Sequence, residues 1–271
     1  MKIKKSLSIQ SLAVIGMLYY APSVLASSIL GSAENYAVLS YAGITNTGST
    51  TINGNIGSTP TQTITGWNDI IFNVGVIDQA NALQAQNDAT SAYNTLKAMH
   101  GIDESGKNLG GMTLNPGTYY FSSSAQLTGN LTLDAHGDPN ALFIFEIGST
   151  LITETNSKVN LINGGNASNE IYWQVGSSAT LGTSTTFAGN ILANSSITLD
   201  TSAEILGGRA IALGGAVTMD TNTINYISSP TSSVPAPAGW VMTLLGLPMI
   251  GWGVKKSKKT SNTISCEAVA A

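Results

Sequence analysis

Charge is what this sequence has least of. Only 10% of its 271 residues are Asp, Glu, Lys or Arg, against roughly a quarter in ordinary globular domains. Cysteine occurs once, at Cys266. No disulfide can therefore form within the chain, and no thiolate metal cluster. Basic residues are nearly absent from the middle: 27–233 keeps Lys97, Lys107, Lys158 and Arg209 against fourteen Asp and Glu. Such an acidic body repels phosphate backbones, so nucleic acid is excluded as a partner. What is abundant is glycine (29 residues), with Ser, Thr and Asn, and the mean hydropathy is positive. That excludes disorder and predicts short strands joined by tight turns.

The two ends read as addresses. Residues 1–26 form a signal peptide: Lys2, Lys4 and Lys5 lead an apolar stretch, and Val24-Leu25-Ala26 puts small residues before the cleavage point. The other reading is a retained N-terminal anchor. Ser228–Ser233 is a linker. The segment 234–271 opens with Val234-Pro235-Ala236-Pro237, followed by the apolar run Gly239–Val254 and then Lys255, Lys256, Lys258 and Lys259. As a helix the run would span roughly 24 Å, short for a bilayer. The segment resembles the PEP-CTERM sorting signal of Gram-negative bacteria, with Ala236 in place of Glu. The resemblance implies an exported protein whose tail is processed by an exosortase, with attachment to a membrane or the cell envelope through this segment. A simple membrane anchor is the alternative. About 205 residues remain between the ends, enough for one large domain over 27–227.

Within that domain Asp78 to His100 contains neither Gly nor Pro, and Ala82, Ala85, Ala89, Ala92, Leu96 and Met99 recur at steps of three and four. This predicts one helix over about 78–100, with Asp78 as N-cap and Gly101 just past its end. Its alanine face suits close packing along a β scaffold; a coiled-coil partner helix is the other use. From Gly117 to Ile224 short strands are expected. Three pieces align, Ser178–Leu181, Ser196–Leu199 and Ala216–Met219, at separations of 18 and 20 residues. Repeats of this length predict a solenoid of stacked coils. Alternation turns Ala179, Leu181, Ile197, Leu199, Val217 and Met219 inward. It turns Thr180, Thr198 and Thr218 outward, with Ser178 and Ser196. A second hydroxyl column follows: Thr183 to Thr186, Thr201-Ser202, and Thr221-Asn222-Thr223. Ala141–Ile147 and Glu170–Val175 are apolar on both faces and need a cover, for which the helix is the candidate.

Several longer stretches point to one family. They are Leu30–Leu39 (LGSAENYAVL), Thr51–Gly57 (TINGNIG), Leu109–Tyr119 (LGGMTLNPGTY), Gly137–Phe145 (GDPNALFIF), Trp173–Gly182 (WQVGSSATLG) and Gly189–Ala193 (GNILA). In this order the chain resembles the bacterial and fungal ice-binding protein family (DUF3494) over about residues 29–226. The resemblance implies a mainly β fold, a discontinuous right-handed β-solenoid of triangular section with one long α-helix alongside. It also implies a monomer that meets an ice crystal surface through one flat outer face, with no cofactor, no metal and no catalysis. Some members carry Thr-Ala/Gly-x-Thr/Asn on that face, to which Thr183–Thr186 is similar; Thr201–Glu204 departs from it. The residues expected at ice are therefore Thr180, Thr183, Thr186, Thr198, Thr201, Thr218, Thr221 and Thr223. Some members have a disulfide near the helix end, but His100–Asn108 has no cysteine.

Two rival classes follow from other residues. Asp134 and Asp138, with His136 between them, form a conceivable carboxylate pair for polysaccharide cleavage, or with Asn140 an oxygen site for calcium. The simpler reading is a turn, since Asp-Ala-His-Gly-Asp-Pro-Asn is made of turn formers. The second rival is a surface adhesin or matrix component without ice affinity.

Overall fold

A computed structural model describes residues 28–226 apart from 139 and 165–170. The expected signal peptide, linker and sorting segment lie outside the described residues. Within them every strand pairing is parallel, and the strands build three sheets of eight, seven and eight strands that form the three walls of a solenoid. Each coil contributes one strand to each wall. The coil 117–134, for example, supplies Gly117–Phe121 to sheet A, Ala125–Leu127 to sheet B and Asn130–Asp134 to sheet C.

Coils do not stack in chain order. The five coils from 117 to 225 follow one another, and the next place is taken by the N-terminal coil 36–53. Its strands Tyr36–Ser40, Ile44–Thr47 and Thr50–Asn53 pair with Ala210–Ala212, Val217–Asp220 and Thr223–Asn225. The coil 55–74 forms the end of the stack. Sequence periodicity places the strands from Gly117 onward but does not show the two N-terminal coils, because Gly and Asn break their alternation after two or three residues. The α-helix Ala82–Lys97 then carries the chain back, and Ile102–Asp103 resumes pairing on Tyr119–Tyr120 at the far end.

The helix is shorter than expected at both ends. Asn81 is its N-cap; Asp78 sits a turn earlier and accepts from the Asn81 amide at 3.1 Å. Ala82, Ala85, Ala89 and Ala92 are fully or almost fully buried against Leu39, Ile144, Tyr172, Leu192 and Ile211 of sheet A. Methyl side chains let the backbone approach the sheet closely, and the long aliphatic residues come from the sheet. Replacing Ala89 by Leu is therefore expected to cost about 1–3 kcal/mol by overpacking, seen as a lower Tm in a thermal melt.

The core runs the length of the stack. Tyr119, Phe145, Trp173 and Phe187 lie on successive coils with ring centroids 5.6, 3.8 and 4.9 Å apart, and Trp173 Nε1 donates to the Ala188 carbonyl at 3.0 Å. Glu146 is a buried carboxyl under the helix, beside the buried Gln174. Burial raises its carboxyl above the ordinary range, partly offset by His100 and Lys97. A raised acid makes the fold less stable as pH climbs through its folded-state pKa, because the native state binds the proton more tightly. Glu146→Gln is expected to raise Tm at about pH 7, with the gain shrinking towards about pH 4. Melts of both proteins across that range check the sign.

The loop after the helix holds without a disulfide. Glu104 pairs with Lys107, the Glu104 amide donates to the Tyr120 carbonyl at 2.8 Å, and Asn108 Oδ1 accepts from the amides of Gly110 and Thr128. Among the described residues no helix is long and apolar enough to cross a membrane.

Candidate functional site

Sheet A is closed by the helix, so the outward faces of sheets B and C are what the solenoid offers to a large flat partner. On sheet B the register brings Gln126, Ile152, Thr180, Thr198, Thr218, Thr45 and Thr65 into one row across the strands. Five consecutive coils thus present threonine, at a spacing of about 4.8 Å and over about 19 Å. Thr45, Thr65 and Thr218 are exposed, Thr180 and Thr198 half-buried. Among the described residues none of the five hydroxyls has a hydrogen-bond partner, which leaves each one to water. One pleat away, Ser124, Thr150, Ser178, Ser196 and Ala216 continue the small, uncharged surface.

Of the expected residues, Thr180, Thr198 and Thr218 come together in this row. Thr45 and Thr65 are its additional members. A signal for them exists: Ile44-Thr45 and Ile64-Thr65 repeat the apolar-threonine step of Ala179-Thr180, Ile197-Thr198 and Val217-Thr218. These two steps lie more than 100 residues before the other three, outside the 18- and 20-residue spacing.

The second expected column is not one surface. Thr183, Thr201 and Thr221 sit at the corner where each coil turns from sheet B to sheet C. Thr185, between Thr183 and Thr186, is buried and meets Thr153 at 2.8 Å. Thr186 and Thr223 point out of sheet C, in a row with Lys158 and Glu204. Nor is the corner neutral. Glu154, Asp200 and Asp220 lie along the adjoining edge of sheet B, and Asp220 accepts from the hydroxyls of Thr201 (2.5 Å) and Thr221 (3.0 Å). Those two threonines serve a carboxylate, whereas the row on sheet B serves solvent.

The corner itself is built from left-handed residues: Asn156, Ser184, Ser202, Thr221 and Gly48 have φ of 61°, 57°, 61°, 55° and 68°. A β-branched residue is strained there. Thr221→Asn is expected to raise stability by about 1 kcal/mol, measured as a higher midpoint in urea.

Sheet C has a different character. Its strands Lys158–Ile162 and Thr186–Ala188 keep only the Lys158–Thr186 pairing, and a depression of about 600 Å³ opens beside them, lined by Thr132, Asn160, Ile162, Phe187 and Leu206. This wall is neither flat nor free of charge.

The rival residues Asp134, His136, Asp138 and Asn140 lie at the end of the strand Asn130–Asp134 and in the turn after it. Asp134 Oδ1 accepts from Asn163 Nδ2 and the His136 amide, both at 2.9 Å, which lowers its carboxyl and keeps it ionised. Asp138 Oδ1 accepts from the Asn140 amide at 2.8 Å. Among the described residues no cluster of three or more His, Cys, Asp or Glu is disposed to hold a metal ion.

Comparison with known proteins agrees with this architecture. Residues 38–225 match the family described as ice-binding-like. A protein of Nostoc sp. (strain HG1), named ice-binding protein, is 49% identical over 218 residues, covering 79% of this chain and 80% of the relative. Among solved structures, an ice-binding protein from an Antarctic biological consortium shares 43% identity at a TM-score of 0.68, covering 82% of this chain and 95% of the other. That of the Antarctic ascomycete Antarctomyces psychrotrophicus shares 38% at a TM-score of 0.69, covering 74% and 98%.

Proposed function

This chain belongs to the ice-binding-like family, and from that premise we propose that it adsorbs to ice through sheet B, curving the growth front between bound molecules and inhibiting growth and recrystallisation. The observation that carries the choice of face is the register of Thr180, Thr198, Thr218, Thr45 and Thr65. Ice is a partner made only of water on a lattice, so its ligand must be rigid, periodic and uncharged. A charged group holds its own hydration too strongly to join that lattice. Threonine offers a hydroxyl to bond water and a methyl beside it, and its β-branch restricts χ1, so little side-chain entropy is lost on adsorption. The parallel ladders beneath fix the spacing.

The protein acts as a monomer without catalysis. The leader 1–26 is removed on export, and the segment 234–271 holds the chain at the membrane or cell envelope, where it fastens the cell to ice or conditions nearby brine.

Growing an ice hemisphere slowly in a dilute solution tests the adsorption. The protein is expected to be taken up into the ice; an adhesin lacking ice affinity would stay in the liquid, and that result would overturn the reading.

A further inference from the structure

The two ends of the stack differ. The end near residue 100 is closed by the polar loop described above, with its Glu104–Lys107 pair and the Asn108 bonds. The opposite end, formed by the coil 55–74 and the turn into the helix, carries most of the exposed large apolar side chains. Of the ten large hydrophobic residues exposed among the described residues, six fall here: Trp67, Ile71, Val74, Val76, Ile77 and Leu83. Val74 is 68% exposed. Inward-facing Phe72 and Ile64 are only partly covered, because no further coil lies beyond them. The charged residues of 55–83 are Asp69 and Asp78 alone. A solenoid normally closes its last coil with polar residues, since an open end exposes core and strand edges.

The described residues finish at Tyr226, whose ring lies against Gly54 at the start of the terminal coil. Twelve residues, 227–238, then separate it in sequence from the apolar run 239–254.

We infer that the end bearing Trp67, Ile71, Val74 and Val76 rests on a lipid bilayer when the chain is membrane-held, so that the solenoid stands end-on with its outer walls clear of the surface. A tryptophan beside short aliphatic residues suits the interfacial layer. Two carboxylates and no cation in the patch favour zwitterionic over anionic lipid. The inference rests on the anchoring role given to 234–271 and is independent of ice adsorption.

The test uses the full chain with Cys266→Ser and a new cysteine, Val74→Cys or Val76→Cys, carrying a polarity-sensitive fluorophore. Lys107→Cys, at the polar end, is the control. With phosphatidylcholine vesicles the protein should float with lipid, and labels at 74 and 76 should shift to the blue and be quenched by lipid-borne quenchers, while the label at 107 stays wet. Failure to float overturns the anchoring role and this inference together. Flotation with all labels wet overturns this inference alone. A blue-shifted label at 74 that depends on protein concentration without vesicles assigns the end to a second copy instead. None of these outcomes bears on ice uptake.

Discussion

Replacing Thr198 by Tyr is expected to cut thermal hysteresis several-fold while leaving the protein's own melting temperature within about 2 °C, as for a surface substitution that disturbs no packing. Thr198 stands between Thr180 and Thr218 in the row of five, so a bulky ring there lifts both neighbours off a flat partner. Thr45→Tyr should do the same, although Thr45 belongs to the N-terminal coil. Thr223→Tyr on sheet C should leave hysteresis close to the parent's. Thr201→Tyr should have an intermediate effect, because Thr201 stands at the corner and already donates to Asp220. Measuring all four by nanolitre osmometry assigns the face. If Thr223→Tyr abolishes hysteresis and Thr198→Tyr does not, ice meets sheet C.

Arg209→Met is expected to give the largest loss of stability without touching sheet B. Arg209 is 2% exposed. Its Nε and Nη2 donate to the Glu34 carbonyl at 3.0 and 2.6 Å, its Nη1 donates to Asn190 Oδ1 at 2.7 Å, and its guanidinium lies 4.5 Å from the Tyr226 ring centroid. It thus joins the N-terminal segment, the coil that begins at Asn190 and the last described residue, at the point where the two parts of the stack meet. Burial works against its charge, yet removing it takes away the donors that the Glu34 carbonyl and Asn190 Oδ1 accept from. The cost should be about 3 kcal/mol, or about 6–12 °C in Tm for a domain of this size. Arg209→Lys should recover little, since an ammonium lacks the planar fork that reaches both acceptors. Below its lowered Tm the Met variant should retain full hysteresis. Loss of hysteresis in a folded variant would mean that the joint also sets the flatness of sheet B.

The coils between 178 and 219 were legible because their alternation is regular: Ala179, Leu181, Ile197, Leu199, Val217 and Met219 all turn inward as read. The helix was legible from its alanine spacing, though not its ends. Asp78 and Asn81 are both good caps, and only tertiary packing decides which one starts the helix. The hydroxyl residues from Thr183 to Thr223 do not share one wall. A corner residue with positive φ shifts the alternation by one, so Thr185 turns inward while Thr186 moves to another wall.

The sequence by itself determined the kind of surface this protein makes: nearly uncharged coils carrying small alcohol groups, with one alanine helix to cover a wall. Only the tertiary structure decided where that surface lies. Pairing of the coil 36–53 with 210–225 brings Thr45 beside Thr218, with Thr65 next in the row, across more than 150 residues of chain. No local period records that junction, because backbone ladders between distant segments are fixed by shape and burial at the joint.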